Sequence, residues 1–191
     1  MRIISGQHKG RRITAPRKLP VRPTTDMAKE ALFNILNNRL HFSDLEVLDL
    51  FSGTGNISYE FSSRGSGSIT AVDQDLDCVK FIKKTASELD MDITVIKSDV
   101  FKYLERAPIK TDLVFADPPY DFDDSQFKSI ADLVFEKQIL NEDGILIIEH
   151  SKHTDLSSVQ NFNEARRYGN SVFSFFKPNL EEWQQFQEQL N

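Results

Sequence analysis

Cysteine is almost missing from this 191-residue chain, with Cys78 as its single representative. One thiol excludes an internal disulfide and any zinc site built on several cysteines. Cys78 is expected to face the core from a helix. Tryptophan is just as scarce, one residue beside 15 phenylalanines. No stretch approaches the ~18 consecutive apolar residues that a membrane helix needs. The opening MRIISGQHKGRR carries charge but no apolar run, so it does not read as a secretory signal. His8, His41, His150 and His153 are scattered and are expected in solvated loops, with no metal site. These absences predict a cytoplasmic protein stabilised by a buried core. The length suits one domain with a small appendage, large enough to bury roughly 70% of its unfolded surface.

Acidic residues are missing from one end only. Residues 1–22 contain Arg2, Lys9, Arg11, Arg12, Arg17, Lys18 and Arg22 and no Asp or Glu, a charge of +7 against −13 over the rest of the chain. A basic arm on an acidic body suits a polyanion such as RNA. A solvated tail would have the same composition.

What is present is an alternating pattern. Residues 2–5 and 11–15 read as two short strands around a turn at Gly6–Gly10. Residues 24–40 read as a helix with Met27, Ala31, Leu32, Ile35 and Leu36 on its apolar face, capped by Thr24 or Thr25. Strands are then predicted at 45–51, 68–72, 93–97, 112–116 and 144–149. Helices follow them to about Arg64 and over 76–89, 100–106 and 125–137. Near-continuous apolar strands alternating with helices indicate a parallel sheet covered on both faces. Residues 164–168 and 171–177 around Gly169-Asn170 read as an antiparallel hairpin, and 179–191 as a short helix. The fold class is therefore α/β, a mostly parallel sheet ending in an antiparallel hairpin. Residues 1–40 form a basic extension of hairpin plus helix, and 41–191 form the main domain.

Three motifs carry chemistry. In Asp49-Leu50-Phe51-Ser52-Gly53-Thr54-Gly55 two glycines allow a sharp turn and close approach to a ligand. Ser58 holds the position of a third glycine, and no phosphate-loop lysine follows. Asp49 suits a cationic group, such as the ammonium or sulfonium of a methionine moiety, better than a pyrophosphate. The glycine pair reads equally well as a structural turn. Asp73, with Gln74 after it, ends the next strand and can accept both hydroxyls of a ribose. Asp75 reads as a helix cap. Asp99, before Val100, is placed either to accept from an adenine amino group or to cap the following helix. These acids describe an adenosine ligand without phosphates.

The sharpest motif is Asp117-Pro118-Pro119-Tyr120. The prolines lock φ and remove two backbone donors, leaving carbonyls free. The amino group of an aromatic base is planar and weakly nucleophilic. Asp117 and the Pro118 carbonyl can each accept one of its hydrogens and turn its lone pair toward a methyl donor. Tyr120 can stack on the base. A rigid turn would explain the prolines but not the acid and aromatic that bracket them. Asp49, Asp73, Asp99 and Asp117 all fall at the carboxyl ends of parallel strands, where such sheets bind ligands. Glu149, at another strand end, either lines the pocket or caps a neighbour.

Together these residues resemble the bacterial RsmD family, the 16S rRNA guanine-N2 methyltransferases. The resemblance runs through Met1-Arg2-Ile3-Ile4-Ser5-Gly6, Lys9-Gly10-Arg11-Arg12, Arg22-Pro23-Thr24-Thr25-Asp26, residues 30–36, the Asp49–Gly55 segment, Ser63-Arg64-Gly65 and Asp117–Tyr120. It implies a Rossmann-like class I methyltransferase fold with S-adenosylmethionine at Asp49, Phe51, Ser52, Gly53, Thr54, Gly55, Asp73, Gln74, Asp99 and Val100. It implies catalysis by Asp117, Pro118, Pro119 and Tyr120 on a guanine of 16S rRNA or a small-subunit particle. The protein is expected to act as a monomer. The chain departs from the family at Asn56-Ile57-Ser58-Tyr59 and in carrying Asp73 where many members have Glu. Helix packing beside the cofactor is expected to differ there. Adenine-N6 methylation of DNA or RNA, and a catalytically silent RNA-binding protein, are the competing readings.

Overall fold

The computed structural model describes residues 1–16, 19 and 25–179. The expected elements at Arg17, Lys18, Arg22 and Thr24, and the short C-terminal helix, lie outside the described residues. Along the chain come α1 (Asp26–Asn37), β1 (Glu46–Leu50), α2 (Asn56–Ser63), β2 (Ser68–Asp73), α3 (Leu76–Glu88) and β3 (Thr94–Lys97). They are followed by α4 (Val100–Arg106), β4 (Thr111–Ala116), α5 (Asp124–Glu136), β5 (Leu140–Ser151), β6 (Phe162–Tyr168) and β7 (Ser171–Phe176). One seven-stranded sheet has the order β3-β2-β1-β4-β5-β7-β6. β1 to β5 are parallel, and β7 runs antiparallel to both β5 and β6. This is the expected α/β class. The order reverses between β1 and β4, the place where open parallel sheets leave a crevice beyond their carboxyl ends.

Strand alternation sorts the side chains between two layers. Leu48, Leu50, Val114, Ala116, Leu146 and Ile148 pack with α4 and α5 on one face. Val47, Leu113, Phe115, Ile145 and Ile147 pack with α1 and α2 on the other. By the same period, Asp49, Asp117 and Glu149 continue the α1 side at three strand ends. Cys78 is fully buried on α3, as expected.

Helix α1 begins one residue after Thr25, whose hydroxyl accepts from the Ala28 N–H. Its buried stripe is Ala28, Lys29, Leu32, Phe33 and Leu36, so Met27 lies off it and is exposed. The expected apolar face is thus rotated by about one residue. The reason is Lys29, which reads as a solvent residue but is fully buried (0% exposed). Its ammonium donates to the Arg2 carbonyl at 2.7 Å and to Asn56 Oδ1 at 2.8 Å, and Glu60 Oε2 lies 3.4 Å away. Three donors meet three acceptors, which is what a buried ammonium requires. Burial pulls the Lys29 pKa down, and Glu60 opposes it.

The N-terminal hairpin is shorter than expected. A single antiparallel bridge joins Arg2 and Arg12. Beyond Ile3 the chain turns to α2, where the N–H groups of Ile4 and Ser5 donate to the Glu60 carboxylate at 2.8 and 3.0 Å. The Ser5 carbonyl accepts from the Ser63 hydroxyl, and Gln7 N–H donates to the Ser63 carbonyl. Gly6 sits at φ +81°, and a Cβ there would lie 1.7 Å from that carbonyl. The described part of the arm is therefore moulded onto α2, with Ile3 and Ile13 buried and Arg2, Lys9, Arg11 and Arg12 exposed. Arg2 also reaches Asp26 at 3.9 Å. Over residues 1–16 a solvated tail is not what forms.

His150 corrects another expectation. It is buried in β5, with Nε2 2.8 Å from Ser174 Oγ and Nδ1 2.9 Å from the Ser151 carbonyl. Desolvation lowers its pKa. β7, which only tertiary pairing brings alongside, covers it. No cluster of metal-ligating side chains occurs among the described residues.

Candidate active site

The β1–β4 crevice holds a cavity of about 940 Å³. Asp49, Phe51, Ser52, Gly53 and Thr54 line it from β1, Asp73 and Gln74 from β2, and Asp99 and Val100 from the start of α4. Asp117, Pro118, Pro119 and Tyr120 line it from the end of β4. Of the residues expected at the site, only Gly55 is absent from the lining. Its work is internal: at φ +78° it sits against the Tyr59 ring, where a Cβ would approach to 2.8 Å. Asn56, Ile57, Phe101, Phe122 and Gln126 also face the cavity, although the sequence did not point to them.

The backbone accounts for the loop. Phe51 adopts φ 56°, a left-handed conformation that costs a non-glycine residue energy. Its ring meets Phe122 edge-on at 5.6 Å, and Phe122 stacks with Phe101 at 6.1 Å. These three rings make an apolar wall on one side. The proximity of Phe101 to Asp99 and of Phe122 to Tyr120 was the available signal.

The acids sit in three different environments. Asp49 is buried and accepts from Ser58 Oγ at 2.5 Å, so Ser58, in the third-glycine position, holds a carboxylate. Burial raises the Asp49 pKa to about 7, against the opposing Ser58 hydrogen bond. Asp73 Oδ2 accepts from Gly53 N–H at 2.7 Å, and Oδ1 accepts from Asp75 N–H at 2.8 Å. The carboxylate therefore pins the glycine loop to β2. Burial raises its pKa, and the two backbone donors oppose that. Asp99 caps α4 through Lys102 N–H at 3.0 Å and also lines the cavity. Asp75 caps α3 by accepting from Asp77 and Cys78 N–H.

The departures at residues 56–59 now have roles. Asn56 receives Lys29, Ser58 holds Asp49, and Tyr59 fills the space under Gly55.

The Asp49 shift predicts a pH effect. Its folded pKa of about 7 lies above the ordinary 3.8, so the folded state binds the extra proton between those values. Its contribution is present below pH 3.8 and is lost as pH rises through about 7. Asp49→Asn is expected to be more stable than the parent at pH 8, with the difference vanishing toward pH 4. Urea midpoints across that range measure it; a constant difference would remove Asp49 as the titrating group.

A second cleft of about 500 Å³ adjoins the first. Thr25 and Met27 at the start of α1, Glu149, Lys152 and His153 on and after β5, and Tyr168, Asn170 and Ser171 at the hairpin line it. Asp117 and Tyr120 line both spaces. Asp117 is half-buried, Pro118 is buried, and Tyr120 is 47% exposed.

Residues 1–177 match the family described as conserved hypothetical protein 95. The chain belongs to that family, the RsmD family. It is 34% identical over 161 residues to "Putative rRNA methyltransferase YlbH" of Bacillus subtilis, spanning 82% of this chain and 85% of that one. It is 29% identical over 181 residues to ribosomal RNA small subunit methyltransferase D of Haemophilus influenzae, spanning 92% and 91%. Among solved structures, "Putative methyltransferase yhhF" of Escherichia coli superposes with a TM-score of 0.81 at 24% identity, covering 94% of this chain and 99% of that one. The T. thermophilus 16S rRNA N2 G1207 methyltransferase, solved with AdoMet and guanosine, superposes with a TM-score of 0.70 at 17% identity, covering 84% and 45%. The fold is that of the class I methyltransferases.

Proposed function

We propose that this protein transfers the methyl group of S-adenosylmethionine to the exocyclic N2 of a guanine in small-subunit rRNA. One observation carries the reading: Asp117 and Tyr120 stand between two spaces and line both. The larger suits the cofactor, with Asp73 for the ribose, Asp99 and the Phe51, Phe101 and Phe122 wall for the adenine, and Asp49 toward the methionine ammonium. The smaller, lined by Thr25 and Met27 at the start of α1, suits an extruded base. S-adenosylmethionine supplies an activated methyl group on a sulfonium. The protein's part is therefore positioning. Asp117 and the Pro118 carbonyl accept the two N2 hydrogens, and Tyr120 stacks on the ring. The small-subunit rRNA of the named relatives supports the substrate class, and the guanosine bound in the T. thermophilus enzyme supports the base.

Residues 1–40 serve as the RNA-facing extension to a 41–191 catalytic domain, with Arg2, Lys9, Arg11, Arg12, Arg17, Lys18 and Arg22 as phosphate contacts. The protein acts in the cytoplasm as a monomer. No helix among the described residues is long and apolar enough to cross a membrane.

The test of the product is incubation with labelled cofactor and, separately, small-subunit particles, free rRNA and duplex DNA, followed by digestion to nucleosides. Label is expected in N2-methylguanosine from particles or rRNA; N6-methyladenosine, or label in duplex DNA alone, would overturn the reading. The arm has its own test. Replacing Lys9, Arg11 and Arg12 together with Gln leaves the arm's backbone anchors on α2 in place. It is expected to flatten the slope of log affinity against log salt by about 2–3, with cofactor affinity unchanged. An unaltered slope would assign these charges to solubility.

A further inference from the structure

The Asp117–Tyr120 loop holds an amino group but does not choose its base, since adenine, cytosine and guanine all offer one. The chemistry beside that amino group differs. Adenine places the N1 lone pair next to its amino group, and cytosine places the N3 lone pair there. Guanine alone among the three places a ring N–H, at N1, beside its exocyclic amino group. A selective site therefore needs an acceptor next to Asp117, one that welcomes the hydrogen and repels the lone pair.

The sheet supplies one. Ala116 on β4 is the parallel partner of Ile148 on β5, so the next residues on each strand, Asp117 and Glu149, stand level. Neighbouring strands run about 4.8 Å apart. Phe115 and Ile147, one period earlier, lie in the same core layer, which puts Asp117 and Glu149 on one face. Both line the second cleft together with Tyr120. Glu149 is only 2% exposed, so its carboxylate is largely withdrawn from bulk water. Within this cleft, Lys152 and His153 belong to the stretch at and just after the end of β5, leaving Glu149 nearer to Asp117 along the strand.

We propose that Glu149 accepts the N1–H of the target guanine and is the residue that separates guanine from adenine and cytosine. This rests on the reading of the protein as a guanine-N2 methyltransferase and names its specificity determinant. With Asp117 and Pro118 taking the N2 hydrogens, guanine's three N–H groups meet three acceptors. Adenine entering with N6 in the same place would set a lone pair against a carboxylate. Sites built to pair a buried polar group reject an analogue that cannot pair it far more strongly than apolar pockets reject a misfit.

The experiment compares small-subunit particles carrying guanine or 2-aminopurine at the methylated position. 2-Aminopurine keeps the 2-amino group but has a lone pair at N1. The wild-type protein is expected to prefer guanine. Glu149→Gln can donate its amide hydrogen to that lone pair, so it should narrow the preference by roughly ten- to a hundredfold, with cofactor affinity retained. The ratio between proteins cancels any intrinsic difference in amine reactivity. Glu149→Asp is the second variant: drawing the carboxylate back by one methylene should slow guanine while sparing 2-aminopurine, again narrowing the preference. Equal wild-type rates on the two bases overturn the assignment without any variant. An unchanged preference in either folded variant overturns it too. The absence of N2-methylguanosine from wild-type reactions overturns both this assignment and the function beneath it, whereas guanine methylation without discrimination overturns this assignment alone.

Discussion

Asp117→Ala is expected to slow methyl transfer by about 10²–10³-fold, the usual cost of removing one preorganised group aimed at developing charge. As the amino nitrogen attacks, it becomes cationic. A carboxylate already hydrogen-bonded to that nitrogen gains strength in the transition state, which is what raises a rate. In the proposed mechanism Asp117 contributes this from the end of β4, where its N–H meets the Leu50 carbonyl at 3.4 Å. The alanine variant should still bind S-adenosylmethionine, because Asp49, Asp73 and Asp99 approach from β1, β2 and α4. Asp73→Ala should show the opposite pattern, losing about ten- to a hundredfold in cofactor affinity. Calorimetry with S-adenosylmethionine and single-turnover methylation separate the two effects. Near wild-type turnover in Asp117→Ala would sink the proposed role of the loop.

Glu60→Ala is expected to cost about 3–5 kcal/mol of folding stability, the range for breaking a buried ion pair from one side. Four donors lose their acceptor at once: Lys29, Arg64 at 2.9 Å, and the N–H groups of Ile4 and Ser5. Lys29 would remain with its charge in a site of 0% exposure. The damage should spread, since Asn56, a partner of Lys29, lines the larger cavity and the start of the arm hangs on Glu60. Deleting the arm should for the same reason disturb the cofactor site. Combining Lys29→Met with Glu60→Leu removes both charges and is expected to recover part of the loss. The backbone donors of Ile4 and Ser5 would still lack their acceptor. Urea unfolding of the three proteins measures this. A loss under about 1 kcal/mol, the level of an exposed pair, would show that the pair is not a keystone.

Much of the candidate site was legible because the signals for it are local. Asp49, Asp73, Asp99 and Asp117 each follow a short apolar strand. A parallel sheet brings strand ends to one edge whatever its detailed packing. The prolines after Asp117 constrain their own backbone, and Gly55 reports a positive φ that few other residues tolerate. The strand and helix periods likewise arise within a few residues, so the order of elements and the final hairpin could be read directly.

Pairings between distant segments were decided only by the tertiary structure. A lysine on a helix reads as solvated unless something far away offers three acceptors. For Lys29 these come from residues 2, 56 and 60. His150 read as a loop residue until β7 covered it. The start of the N-terminal arm is tied to α2 because Glu60, 55 residues or more away in sequence, accepts from the Ile4 and Ser5 N–H groups. Glu149 could be seen at a strand end, but its place level with Asp117 depends on the register between β4 and β5. Sequence alone determined which chemical groups this protein carries and at which strand ends. The long-range packing decided which of them meet, because burial of a polar group is tolerated only where distant partners satisfy it.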